Sequence, residues 1–246
     1  MKRIELLGCP LDIATLAETV GKLSVRIANR QFTQHVVVNV AKLVNFQTDV
    51  ALAQSVRECD VINVDGMGVV WGARLLGYDV AERVAGIDLF QALLQVSASH
   101  GYPVFFLGAT DEVVRHAVER CVACFHGLRI AGYHHGYFGD DEQAVVDMIR
   151  QSGARLLFVA MSSPKKENFI NRWKSALHVD FVMGVGGSFD VMAGKVKRAP
   201  LWMQRCGLEW FYRVIQEPRR MWKRYLVTNC KFVWMLGMAC ITPRRH

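Results

Sequence analysis

The 246-residue sequence lacks an apolar run long enough to cross a bilayer: in its C-terminal part, residues 232–241 give only ten, where a span needs about 20. The start, MKRIELLGCPLD, has two basic residues but only a four-residue, mostly apolar stretch before Gly8, so no export signal is expected. Seven cysteines, at 9, 59, 121, 124, 206, 230 and 240, are odd in number and scattered, which argues against a disulfide framework and for a reducing cytoplasm. Cys121 and Cys124 form a lone C-x-x-C with no second pair at zinc spacing, and no Asp-x-Asp occurs, so no metal site is expected. Gly-Lys-Ser/Thr is missing after the glycine-rich segment 184–188, which excludes a P-loop. Gly66-Met67-Gly68 has Trp71 where a dinucleotide fingerprint needs its third glycine, so a nicotinamide-dependent oxidoreductase is disfavoured. No cofactor is expected, and without an RRM, KH or helix-turn-helix pattern neither is a nucleic-acid partner.

What is present is a chain with 52% hydrophobic residues, enough for one substantial core and a small appendage. Net charge is +8, unevenly placed. From Lys195 onward twelve Lys or Arg stand against two acids, Glu209 and Glu217, a local excess of +10 on a near-neutral body. Such a tail calls for an anionic partner.

Strand-like apolar runs at 34–39, 61–64, 103–108, 128–132, 155–161 and 181–185 alternate with helical stretches at 41–58, 66–77, 86–99, 110–124, 140–151 and 164–177. Residues 4–12 can add a strand or hairpin. This alternation predicts an α/β fold: a doubly wound, mainly parallel, Rossmann-like sheet over residues 1–194, with a helical appendage over 195–246.

A doubly wound sheet gathers the C-terminal ends of its strands at one edge, where ligands bind. Those ends carry Asn39, Asp65, Gly108 with Ala109, His134 through Tyr137, Ser162 through Lys165, and Gly186-Gly187-Ser188 with Asp190. Glycines after a strand let backbone N–H groups approach a phosphate or sugar, and the following Asp190 offers an acceptor for ribose or base. Asp65, between an apolar strand and Gly66-Met67-Gly68, has two readings: an N-cap for the next helix, or a carboxylate presented to a ligand.

The appendage reads as a helix over 200–216, a break at Glu217-Pro218, then a basic helix. Arg219, Arg220, Lys223, Arg224 and Lys231 recur at near-helical spacing among Met221, Trp222, Tyr225, Leu226, Phe232, Val233 and Leu236. That is the composition of an element lying in an anionic membrane surface, and it predicts a peripheral protein.

Eight stretches are recognisable together: "VNVAKLV" (38–44), "DGMGVVWGARLLG" (65–77), "ERVAGIDLF" (82–90), "VFFLGA" (104–109), "HHGYF" (134–138), "SPKKE" (163–167), "GVGGSFDVMAGKVKRAP" (184–200) and "GLEWFYRVIQEPRR" (207–220). In this order they resemble the WecG/TagA/CpsF family of glycosyltransferases over nearly the whole chain. The resemblance implies a hexosyltransferase that moves a sugar from a UDP-sugar to a polyprenyl-diphosphate-linked saccharide, with inversion, at the cytoplasmic membrane face. The sugar would be of the N-acetylmannosamine, N-acetylmannosaminuronic acid or glucose type, and the product a cell-surface polysaccharide or teichoic acid. It further implies Asp65 as general base, with Asn39 and Arg83 as catalytic-site residues. Donor contacts are expected from Gly108, Ala109, Tyr137, Lys165, Gly186, Gly187 and Asp190. Leaving-group or lipid-phosphate contacts are expected among Arg213, Arg219, Arg220 and Arg224. The family commonly has Gln where this chain has Lys166; an added cation there suits a carboxylated sugar or turns outward into solvent. The competing reading is a non-catalytic, membrane-associated nucleotide-sugar-binding module in which Asp65 is only a cap. Oligomeric state is left open, a homo-oligomer included.

Overall fold

The computed structural model describes residues 1–139 and 141–241, with the side chain of Arg220 outside that description. The chain opens with a hairpin, β1 (Lys2–Leu6) and β2 (Cys9–Ile13), as the first residues suggest. A helix not expected from the sequence follows, α1 (Leu16–Ala28), begun by a capping box in which Thr15 and Glu18 exchange bonds. The winding then runs β3 (Thr33–Val38), α2 (Val40–Phe46), α3 (Val50–Arg57), β4 (Val61–Val64), α4 (Met67–Leu75), α5 (Gly86–His100) and β5 (Val104–Gly108). It continues through α6 (Asp111–Cys124), β6 (Ile130–His134), α7 (Glu142–Gln151), β7 (Leu156–Ala160), α8 (Lys165–Trp173), β8 (Phe181–Gly184) and α9 (Ser188–Met192). The last segment forms α10 (Leu201–Arg205), α11 (Glu209–Gln216) and α12 (Pro218–Ile241).

The eight strands form one sheet in the order β1-β2-β4-β3-β8-β7-β5-β6. Only β1 and β2 pair antiparallel; every other neighbouring pair is parallel. β3, β4, β7 and β8 are buried along their whole length, as expected where helices cover both faces. On one face α1, α5, α6 and α9 enclose a core around Phe90, Phe106, Phe158 and Phe189. On the other, α2, α3 and α4 pack over Val36, Val38, Ile62 and Val64, and α7 and α8 over Leu107, Leu157 and Val159. The sheet is therefore doubly wound and mainly parallel.

Three expectations shift. The stretch 41–58 is two helices, because Asp49 caps a second one by accepting from the Leu52 N–H at 2.9 Å. The strand expected at 128–132 lies two residues later, with Leu128 instead plugging the core. The helix expected at 200–216 is interrupted between Arg205 and Glu209, where Gly207 is pressed so closely onto α4 that a Cβ there would lie 2.6 Å from that of Met67. The far half of α12 also joins the body: Phe232 and Leu236 are buried against α4, and a Cβ on Gly72 would lie 2.7 Å from the Phe232 ring.

Candidate active site

The site begins where β3 and β4 end side by side. Asp65 continues the pairing by donating its N–H to the Val38 carbonyl at 2.9 Å. The chain then turns through Gly66, whose φ of +95° favours glycine. Gly66, not Asp65, occupies the N-cap position of α4, and no side chain caps that helix. Asp65 is thus not a cap: its half-buried carboxylate makes no hydrogen bond or ion pair among the described residues. Burial pushes its pKa up, and Glu209 adds to this, while Arg83, Arg213 and Lys42 pull it down. A group so placed accepts a proton more readily than an exposed aspartate.

Asn39, at the end of β3, does cap a helix: its Oδ1 accepts from the Lys42 N–H at 2.9 Å. Its amide nitrogen has no partner among the described residues, and its Cβ stands at the same strand edge, 4.0 Å from where a Cβ on Gly66 would lie. Beneath α2 sits a charged group that sequence reasoning missed. Lys42 Nζ donates to the Val37 carbonyl at 2.7 Å and pairs with Glu167 at 2.8 Å, while Lys166 pairs with the same carboxylate at 2.9 Å. All three are buried. Burial opposes the charge of Glu167, yet the two lysines hold its pKa down to about 2. Burial, and then Lys42, bring Lys166 down to about 8 against the pull of Glu167. Lys166 therefore turns into the body, its stem lying along Gly184, rather than out into solvent.

Arg83 reaches the site from the loop before α5. Its Nη1 donates to Glu209 Oε2 of α11 at 2.8 Å. One turn along α11, Arg213 extends over the glycine-rich loop after β8: a Cβ on Gly187 would lie 3.7 Å from Asp190 and 3.9 Å from the Arg213 guanidinium. Tyr225 of α12 lies against Trp210, ring centroids 5.7 Å apart. Burial raises its pKa, and Asp65 and Glu209 are among the charges that act on it. The structure thus brings together Asp65, Asn39, Arg83, Gly186, Gly187, Asp190 and Arg213.

The remaining donor candidates lie across the sheet. β5 leads outward to β6 and β7 leads back to β8, so the winding reverses between these neighbours. Such a switch point opens a ligand crevice. There a Cβ on Gly108 would lie 2.4 Å from the Ala160 carbonyl oxygen, so only glycine fits. Ala109 donates its N–H to Ala160 and accepts from Gly136, both at 2.9 Å. Tyr137 is 74% exposed at the rim, and Lys165 places its Nζ 5.4 Å above the Phe138 ring. β4 and β5 are four strand spacings apart, about 19 Å, so this group does not touch Asp65. Of the C-terminal arginines, Arg219 and Arg224 are exposed, and the side chain of Arg220 lies outside the described residues.

The fold and the strand-end crevice define an α/β protein that surrounds one unpaired carboxylate with cations, an arrangement suited to an anionic substrate. The chain belongs to the glycosyl transferase WecG/TagA/CpsF family, whose model matches residues 4–246. It is similar to the N-acetylglucosaminyldiphosphoundecaprenol N-acetyl-beta-D-mannosaminyltransferase of Bacillus spizizenii strain W23, 41% identical over 167 residues that make up 68% of this chain and 64% of the relative. The protein of the same name from Bacillus subtilis strain 168 is 40% identical over 162 residues, 66% of this chain and 62% of the relative. That from Staphylococcus aureus strain MW2 is 31% identical over 224 residues, 90% and 86% of the two chains. The chain thus spans a little under two thirds of the length of the two Bacillus relatives.

Proposed function

We propose that this chain is an inverting, UDP-sugar-dependent glycosyltransferase that adds an N-acetylmannosamine-type sugar to a polyprenyl-diphosphate-linked N-acetylglucosamine. The observation that carries the reading is the Asp65 carboxylate, unpaired at the strand edge because Gly66 has taken the capping position. An idle cap has no role for a carboxylate in this place; a general base does. The proton of the acceptor hydroxyl passes to Asp65 as that oxygen attacks the anomeric carbon. The new C–O bond forms on the face opposite the breaking bond to the diphosphate, and UDP departs with the electron pair. The Asn39 amide orients the acceptor, and Arg83, Arg213 and the backbone at Gly186-Gly187 meet the charge that develops on the leaving group. The nucleotide lies toward the β5–β7 crevice, lined by Gly108, Ala109 and Tyr137.

The names of the relatives support the N-acetylmannosaminyl donor and the diphosphopolyprenol acceptor. Lys166, turned inward onto Glu167, favours the uncharged sugar over its uronic acid.

The appendage fits a lipid-linked substrate. No helix among the described residues is long and apolar enough to cross a membrane. Yet α11 is turned inside out: Glu209, Arg213 and Gln216 face the body, while Trp210, Phe211 and Ile215 face outward. On α12, Trp222, Leu226, Val233, Trp234 and Met238 are exposed beside Arg219, Lys223 and Lys231. Apolar side chains rimmed by cations suit the headgroup region of an anionic bilayer, so we place the protein on its cytoplasmic face.

The test is UDP release by the purified chain across a panel of UDP-sugars, with a short-chain lipid-diphosphate N-acetylglucosamine acceptor. Acceptor-dependent turnover with UDP-N-acetylmannosamine is the expected result. UDP binding without turnover for any donor would return the chain to the binding-module reading.

A further inference from the structure

Four charged side chains from distant parts of the sequence lie in a row where the C-terminal segment meets the body. Glu209 Oε2 accepts from Arg83 Nη1 at 2.8 Å, and Glu209 Oε1 faces Arg198 Nε at 3.6 Å. Arg198 in turn grips Asp88, in the first turn of α5, through its two terminal guanidinium nitrogens at 2.5 and 2.8 Å. The side chains of Arg83 and Glu209 are only 15% and 16% exposed, so neither is a loose surface charge.

We infer that Glu209 is a positioning residue of the active site, setting the guanidinium of Arg83 directly and that of Arg213 through helix α11. The inference rests on the transferase reading. An arginine has five N–H donors, and Glu209 occupies one of those on Arg83. The others stay available to phosphate oxygens, so the contact orients Arg83 without using it up. Glu209 and Arg213 are four residues apart, hence on one face of the helix. Three residues beyond Arg213, Gln216 exchanges two bonds with the backbone of Lys197, at 3.2 and 3.0 Å. No residue of α11 is buried, so the helix has no apolar anchor in the core. Its position over Gly187 is set by the polar grips near its two ends together with the Trp210–Tyr225 contact to α12. Glu209 also stands at the helix N-terminus, where the macrodipole favours a carboxylate.

The test compares wild type, Glu209→Gln, Glu209→Asp and Asp88→Asn by UDP titration calorimetry and by acceptor-dependent UDP release. Taking a negative charge away from an anionic ligand by itself tightens binding. Loss of positioning does the reverse. Glu209→Gln is expected to bind UDP at least fivefold more weakly and to transfer at least tenfold more slowly, with Glu209→Asp recovering part of both. Asp88→Asn loosens the far end of the row without touching Arg83, and is expected to lower the melting temperature while keeping UDP affinity within twofold. Unchanged or tighter UDP binding by Glu209→Gln overturns the inference, as does an equal loss in Asp88→Asn. If Glu209→Gln fails to fold, Glu209→Asp decides, and UDP affinity equal to wild type overturns it. Wild type that binds UDP without transferring any sugar overturns the transferase reading instead, while the titrations still judge Glu209.

Discussion

Asn39 and Asp65 end neighbouring parallel strands, joined through the Asp65 N–H and the Val38 carbonyl, yet only Asn39 caps a helix. That division of labour separates their substitutions. Asp65→Asn keeps shape and removes the proposed base: transfer is expected to fall about 10²- to 10⁴-fold, with UDP affinity and melting temperature near wild type. Asn39→Ala loses the cap and is expected to cost about 1 kcal/mol in urea unfolding besides its effect on rate. Because burial raises the Asp65 pKa, the acidic limb of kcat/KM is expected above the pH at which an exposed aspartate titrates.

A second dependence on pH concerns stability. His35 lies wholly inside the sheet, its Nε2 2.9 Å from Asn63 Oδ1, and burial pushes its pKa down to about 4. The unfolded chain then binds a proton that the folded chain refuses. Stability is full above about pH 6.5 and declines as pH falls toward 4, by about 3 kcal/mol from this group. Glu167 extends the decline, because its folded pKa of about 2 lies below its unfolded value. Urea midpoints measured from pH 7 to 4 are expected to drop steadily in wild type and to flatten in His35→Gln.

Gly108 joins β5 to the switch-point crevice at φ +123°, with the Ala160 carbonyl where a side chain would stand. Gly108→Ala meets backbone rather than a movable side-chain end. A loss of about 3 kcal/mol or more is expected, read by chemical denaturation, together with weaker UDP binding.

The outward face of the appendage makes the fourth prediction. Trp222 and Trp234 are 53% and 61% exposed, so replacing both with Gln removes no core contact. Binding to vesicles containing anionic phospholipid is expected to weaken about tenfold or more, at roughly 1.5–3 kcal/mol for each large apolar side chain withdrawn, while the melting temperature stays put. Flotation of the protein with liposomes, alongside a thermal scan, checks both.

Much of the fold is legible in the sequence. Val61–Val64 is a strand at its expected limits because three β-branched apolar residues around Asn63 are closed off by Asp65 and glycines. α1 was equally open to reading: Thr15 and Glu18 form a capping box, and Leu16, Val20, Leu23 and Ile27 keep helical spacing. The break at Cys206-Gly207-Leu208 has a local cause as well as a tertiary one: Gly207 takes φ +70°, and the Leu208 N–H closes the end of α10 on the Met203 carbonyl at 2.8 Å, while Met67 and Trp71 leave no room for a side chain there. In the site, Asp65 stood out because a strand end and glycines frame it. Glu209 did not, since its meaning depends on Arg83, 126 residues earlier in the chain. The direction of Lys166 was likewise hidden: a long basic side chain turns inward only where a carboxylate such as Glu167, already shared with Lys42, awaits it.

Helix α11 has one side on the active site and the other facing out, so the wall of the site is also the protein's outer skin there. Were a bilayer to lie against that skin, as proposed, the candidate site would stand about one helix diameter, roughly 10–12 Å, above the headgroups. On the proposed reading, a sugar on a diphosphate tether would bridge that gap while its hydrocarbon chain stays in the leaflet. The lipid then need not be extracted for each turnover, and encounters become a search in two dimensions rather than three.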